Sequence, residues 1–209
     1  LAYKVGETSL PGCPMTWITA SARNALLTGL GAAAAILLVW KLVIGWDLLG
    51  LLGAVTRFTH VGAVIVWIGM VWFVNFIQIA AIASADDTGR RTLLQGVVPR
   101  VAWTFRMASN LTVASGLLLL YFAGYLSRSV VSQGIPPMRH ALLWLAVVGG
   151  FAMWSFVHHV IWPSLQIVLR EGDPAAKAAA RERVHTYARI NLALAVPVTL
   201  VMVAAGHLY

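Results

Sequence analysis

The chain has 209 residues, 60% of them hydrophobic and 11% charged, with a mean hydropathy of +0.81. That balance excludes a soluble globular domain and points to an integral membrane protein. The net charge of +8 comes from basic residues spread over the segments between apolar runs, so it reads as topology signal and lipid contact and not as a nucleic-acid surface.

Residues 1–24 form a mixed segment containing Gly, Pro and Thr, expected at the membrane surface or against a partner. Pro11 and Pro14 interrupt any apolar core there, so the segment does not read as a secretion signal. Cys13 is the only cysteine, which excludes an internal disulfide and a multi-cysteine metal site. Residues 25–209 read as one all-α domain of five transmembrane helices. The spans run from about Ala25 to Trp46, Val55 to Ser84, Val101 to Leu126, His140 to Leu169 and Thr186 to His207. Between them, Asp86 to Arg91 reads as a polar loop and Ser132 to Pro137 as a turn. Arg170 to His185 reads as a surface connection running helically into the last span.

Basic residues are concentrated on one side of this arrangement. Lys4, Arg23, Arg90, Arg91, Arg100, Arg170, Lys177, Arg181 and Arg183 share the side of the N-terminus, whereas Lys41, Arg57, Arg128 and Arg139 lie near the opposite loops. In a bacterial inner membrane the positive-inside rule then puts the N-terminus in the cytoplasm and Tyr209 in the periplasm.

Arg57 to Ala81, RFTHVGAVIVWIGMVWFVNFIQIAA, is apolar enough to span and yet carries His60, Asn75 and Gln78. At 100° per residue His60 and Gln78, 18 positions apart, share one helical stripe with Trp67 and Asn75 close to it. Such a stripe is expected to face other helices or a cofactor, because unpaired polar groups in hydrocarbon are costly. His60, His140 and His207 fall near the same end of three spans. Neutral imidazole is the usual axial ligand of haem iron, so the trio points to haem b, one or two per chain. His60 and His207 would be the outer axial pair, with His140 as substitute or neighbour. His158, 18 residues and about 27 Å beyond His140, marks an inner site with His159 as the other candidate. The ordinary alternative for each histidine is an interfacial residue or one hydrogen-bonded within the bundle. His185 lies in a charged connection and reads as a solvated surface residue.

A second polar set, Asn75, Gln78, Arg106, Asn110, Gln166, Arg189 and Asn191, gathers toward the other side. It reads as a pocket for an anionic or hydrogen-bonding small molecule such as a quinone head or a purine. Snorkelling to lipid phosphate accounts for Arg106 almost as well. Pro163 is expected to kink the fourth span and free a backbone carbonyl nearby. No GxSxG, Walker, HExxH or cysteine-rich motif occurs, and acidic residues keep to ends and loops, which excludes a carboxylate relay through the middle.

Four stretches together resemble the membrane domain of the cytochrome-c-type urate oxidases, or urate hydroxylases. They are THVGAVIVWIGMVWFVNFIQ (Thr59–Gln78), WTFRMASNLTVASGLLLL (Trp103–Leu120), AMWSFVHHVIWPSLQIV (Ala152–Val168) and ARINLALAVPVTLVMVAAGH (Ala188–His207). The resemblance implies roles for His60, Trp67, Gly69, Asn75, Arg106, Trp162, Pro163, Gln166, Arg189, Asn191 and His207, and a cytochrome c as electron outlet. It departs at His158 and His159, where that family has aromatic or aliphatic residues. It departs again at Tyr209, where the sequence ends with no CxxCH although family members carry a C-terminal cytochrome c domain. HxxxxxxWxG from His60 to Gly69 is also similar to the haem-binding protoporphyrinogen oxidase and copper-resistance membrane families.

The expected functions are therefore three. The first is a haem-b membrane subunit passing electrons between a membrane or small-molecule donor and a partner cytochrome c or larger membrane complex. The second is an oxidase of urate or a related heterocycle acting in the Arg106, Asn110, Gln166 pocket. The third is a non-redox accessory subunit of a larger membrane complex.

Overall fold

The computed structural model describes residues 15–122, 125, 137–170 and 172–207. Among them every regular element is a helix, and five helices are long and apolar enough to cross a membrane. These spans are Ala22–Ile44, Leu48–Ser84, Asp87–Phe122, Met138–Leu169 and Pro174–Gly206. The chain is thus an all-α, multi-pass membrane protein. The turn expected at Ser132–Pro137 lies outside the described residues except for the last of them.

The helix starts are set by short polar side chains that take up backbone N–H groups left over at an N-terminus. The Ser21 hydroxyl accepts from Asn24 N at 3.1 Å, and Asp47 Oδ1 accepts from Gly50 N at 2.8 Å. Asp86 Oδ1 accepts from Gly89 N at 2.7 Å, and Asp173 accepts from the amides of Ala175 and Ala176. Asp86 changes the expected boundary: with that cap in place, residues 87–92 are already helix and the polar loop shrinks to a turn. The first span ends on Gly45, whose φ of 73° is the left-handed conformation a helix C-terminus favours and only glycine adopts without strain.

The chain divides into two compact units, residues 1–55 and 56–209. In the first, Asn24 donates to the Trp17 carbonyl at 3.1 Å and Trp40 meets Trp46 edge to face. In the second, the remaining spans pack as an antiparallel bundle. Its core is Trp67 and Val71 from the second span, Phe105 and Ala108 from the third, Met153 and Val157 from the fourth, and Ala195 from the fifth. The fourth and fifth helices approach closely because small residues face each other there. Ala146 and Ala195 are fully buried, and a Cβ on Gly149 would overlap Val198. Large apolar residues such as Ile65, Val148 and Leu200 point outward, the inverse of a soluble protein and the pattern lipid requires.

Three of the spans are interrupted by a widened π turn, at Val74–Gln78, Leu93–Val97 and Val157–Ile161. Two have the same cause. Pro99 and Pro163 each stand just beyond such a turn, with one residue between, and a proline neither donates to the preceding turn nor fits against it. Widening the turn takes up the ring. The third has no proline. There the Asn75 side chain donates to the Val71 carbonyl at 2.8 Å, standing in for the backbone N–H that would otherwise hold that position, and reaches the Ala188 carbonyl at 3.2 Å. At Pro163, where a kink is expected from the sequence, the fourth span carries a widened turn.

Candidate functional site

His60 lies against the third span. Its Nδ1 is 3.0 Å from the Thr112 carbonyl and 3.3 Å from Ser115 Oγ. A carbonyl only accepts, so Nδ1 carries the proton and Nε2 keeps its lone pair. The close approach depends on Gly116, since a Cβ there would stand 3.0 Å from His60 Cε1. Thr112, Ser115 and Gly116 are not among the residues that the sequence alone points to. Their signal is the i, i+3, i+4 spacing of small and hydroxyl residues within TVASG, which makes one helical face. The hydroxyls bond within their own helix, Thr112 to Ala108 and Ser115 to Leu111, so the face is smooth enough for a ring to lie on.

His158 repeats the arrangement in the fourth span. Its Nδ1–H is given to the Trp154 carbonyl at 3.0 Å, and its Nε2 is buried with no hydrogen-bond partner among the described residues. Trp154 stacks on the imidazole at 4.6 Å and donates its Nε1–H to Asn110 Oδ1 at 2.8 Å. Arg106 lies in the same region, its guanidinium 4.7 Å over the Trp162 ring and its Nε buried without a partner among the described residues. His159 is exposed, with Nδ1 donating to the Ser155 carbonyl and its ring edge-on to Trp154 at 5.9 Å.

His140 is buried at the start of the fourth span, edge-on to Tyr125 at 5.3 Å, and its Nδ1 has no partner among the described residues. Beside it Arg139 donates to the Ala205 carbonyl at 3.0 Å, which brings the first turn of the fourth span to the last turn of the fifth. His207 is in that last turn, with its side chain outside the described part.

These pairs also fix depth. His60 is level with Thr112–Gly116, Asn110 with Trp154, and Gly149 with Val198. Traced across the antiparallel helices, they place His60 level with about residue 197 of the last span, some ten residues and about 15 Å along the axis from His207. His140 and His207 share an end of the bundle; His60 sits deeper, and His158 deeper again.

Asn75, Gln78 and Asn191 meet in a cavity of about 60 Å³ bounded by Val71, Phe105 and Leu165. Arg106, Asn110 and Gln166 lie outside its lining, and Arg189 is exposed. Small-molecule sites run to about 300–1,000 Å³, so this space is far short of a quinone ring or a purine. His60 and Gln78 no longer share a stripe, because the π turn at Val74–Gln78 intervenes and shifts the residues beyond it by close to one position.

No protein-family model, curated protein or solved structure matches this chain. The likeness to urate hydroxylases rests on the four stretches alone. Two residues of that likeness are deeply buried in the bundle, Asn191 at 1% and Trp67 at 3% exposed; Trp67 is one of the core residues, and its Nε1–H has no partner among the described residues.

Proposed function

We propose that this protein is a haem-b-binding subunit of a bacterial inner membrane, carrying electrons between a membrane-pool or small-molecule donor and a partner cytochrome. The observation that supports the reading best is the geometry of His60. A backbone carbonyl fixes its tautomer, a glycine clears its ring, and Nε2 is left as a free lone pair. Metal-bound histidines are held in this way, the second nitrogen donating to a carbonyl that orients the ring and raises its basicity. His158 offers the same donor for a second site. By donor chemistry both fit haem iron, and bound haem would supply reversible one-electron transfer.

On this reading the chain's own residues do the following work. Thr112 holds the His60 ring, and Gly116 keeps its flank open. Trp154 and Asn110 hold the His158 ring by stacking and hydrogen bonding. Arg106 keeps a fixed positive charge in a low-dielectric interior, where it favours an added electron. The basic side, with Arg90, Arg91, Arg100, Lys177, Arg181 and Arg183, faces the cytoplasm, and the end carrying His140 and His207 faces the periplasm, where a cytochrome c would dock. The heterocycle-oxidase reading gets no support from the cavity, which is too small for such a substrate.

The test is a dithionite-reduced minus oxidised optical spectrum of the purified protein, with haem extracted and counted per chain. A b-type α band that His60→Ala removes is the expected result. Loss of only part of the haem in His60→Ala, with the remainder lost in His158→Ala, would assign two sites. A colourless protein purified from haem-replete cells overturns the reading in favour of an accessory subunit. Reduction of the haem by urate would bring back the oxidase.

A further inference from the structure

One stripe of the fourth span is left bare. Leu145, Val148, Ser155, His159, Pro163 and Ile167 recur at intervals of three, four and seven, and all are exposed except half-buried Ser155. Lipid accounts for the apolar members. It does not account for His159. The span Met138–Leu169 has its midpoint between Met153 and Trp154. His159 therefore lies about 8 Å from that midpoint along the axis, inside a hydrocarbon layer whose half-thickness is about 15 Å. Imidazole is too short to reach the headgroups as lysine and arginine do. Polar side chains at such depth meet other helices and not lipid, because hydrocarbon offers them no hydrogen bond.

The hydrogen bonding of Ser155 and His159 is only half complete. His159 Nδ1 is 3.0 Å from the Ser155 carbonyl and 3.3 Å from Ser155 Oγ. The carbonyl only accepts, so Nδ1 carries the proton. Oγ can then only receive from Nδ1, and the Ser155 hydroxyl proton has no acceptor among the described residues. Ser84, Thr92, Thr112 and Ser115 differ, each giving its hydroxyl to a carbonyl of its own helix. His159 Nε2 is left as an acceptor without a donor among the described residues. A single turn thus carries one spare donor and one spare acceptor, and a surface of that kind is complementary to itself.

We propose that this stripe is the interface of a two-fold dimer, in which the Ser155 hydroxyl of each copy donates to His159 Nε2 of the other. A two-fold axis along the membrane normal sets the two fourth spans parallel, so like residues meet at like depth and each also reaches residues one turn away on the other copy. Two imidazoles alone could not pair in this tautomer, since both Nε2 atoms accept. The serine makes the pairing reciprocal. Ala152 and Ser155 are small, which lets the two backbones approach closely enough for the bonds to form.

The experiment measures self-association of the full chain in liposomes, by energy transfer between donor- and acceptor-labelled copies over a range of protein-to-lipid ratios. The native chain is expected to associate and to dissociate on dilution in lipid. Two interhelical hydrogen bonds of average strength correspond to roughly sevenfold in the dissociation constant, so Ser155→Ala and His159→Phe should each weaken the dimer by about that factor. Each change removes both bonds, so the double variant should be no weaker than either single one. Position is read separately. In a Cys13→Ser background, Val148→Cys and Ala152→Cys should form disulfide-linked dimers on oxidation, whereas Ile65→Cys, exposed on the second span, should not. A native chain that is monomeric at every ratio overturns the proposal. Single variants that associate as the native chain does, a double variant weaker than both, or equal cross-linking at residue 65 also overturn it. Should one cysteine variant fail to assemble, the other decides. None of these readouts involves haem, so the proposal stands or falls independently of the electron-transfer reading.

Discussion

Gly116 and Ser115 touch the same ring, yet their substitution should have opposite consequences. A methyl at Gly116 would press on His60 Cε1 from 3.0 Å, and the His60 ring is tied to the same helix by Nδ1. Gly116→Val is expected to displace the imidazole and lower haem content per chain. Ser115→Ala should leave it unchanged, because the Thr112 carbonyl is the nearer acceptor. Spectra of the two variants at equal protein concentration check this. Asn75→Ala removes one bond within its helix and one to the fifth span. Interhelical hydrogen bonds in membrane proteins are worth about 0.6 kcal/mol on average and at most about 1.7. A loss of roughly 1 kcal/mol is therefore expected, measurable by mixed-micelle unfolding. At this scale the sequence was informative about which polar residues face the bundle, as at half-buried His60 and Asn75 and at buried Asn191. It was silent about their partners. For Trp154 the one signal was its position four residues before His158, the spacing that allows the stacking now seen.

The widened turns decide what can be read from periodicity. A proline in an ordinary helical turn costs about 3 kcal/mol or more. Because the turn before Pro163 is already widened, Pro163→Ala should recover much less, under about 1 kcal/mol, in the same unfolding assay; a gain near the full figure would mean the turn does not take up the ring. The same turns explain where the helical-wheel arithmetic holds. His60 and Trp67 precede any interruption and lie on the bundle side as the 100° rule requires. Gln78 closes the turn at Val74–Gln78 and leaves the stripe. Span number was legible from apolar length, but the third helix begins at Asp87 and not near Val101, because a capping aspartate and a loop aspartate look alike in sequence.

For the bundle as a whole, the contact of the fourth and fifth spans is the seam most sensitive to volume. A side chain at Gly149 overlaps Val198, whereas a Cβ at Gly150 meets nothing within 4 Å. Overpacking typically costs about 1–3 kcal/mol, so Gly149→Val should unfold at lower denaturant and Gly150→Val should behave as the native protein. Orientation is tested separately. With Cys13 replaced by Ser, a cysteine at Gly172 should resist a membrane-impermeant maleimide in intact spheroplasts, and one at Trp46 should react. The reverse pattern would invert the charge-based topology. What apolar composition could never reveal was depth within the bundle. His60, His140 and His207 read as one ring of ligands near one membrane face, and only the pairings Arg139 with Ala205 and His60 with Thr112 separate them into two levels.

The turn at Val74–Gln78 has one more consequence, for tolerance of length change. Removing a residue from an ordinary membrane helix rotates everything beyond it by about 100° and draws it in by about 1.5 Å, so that buried faces swing into lipid. Within this turn the opposite holds, since it carries close to one residue more than an α-helical turn needs. Deleting Phe76, which points outward, would close the turn to regular geometry and leave both flanking segments facing as they do now. A shortened chain lacking Phe76 should therefore still insert and assemble, while one lacking Ile65 should not. Places where membrane helices bulge are places where their sequences can lose a letter.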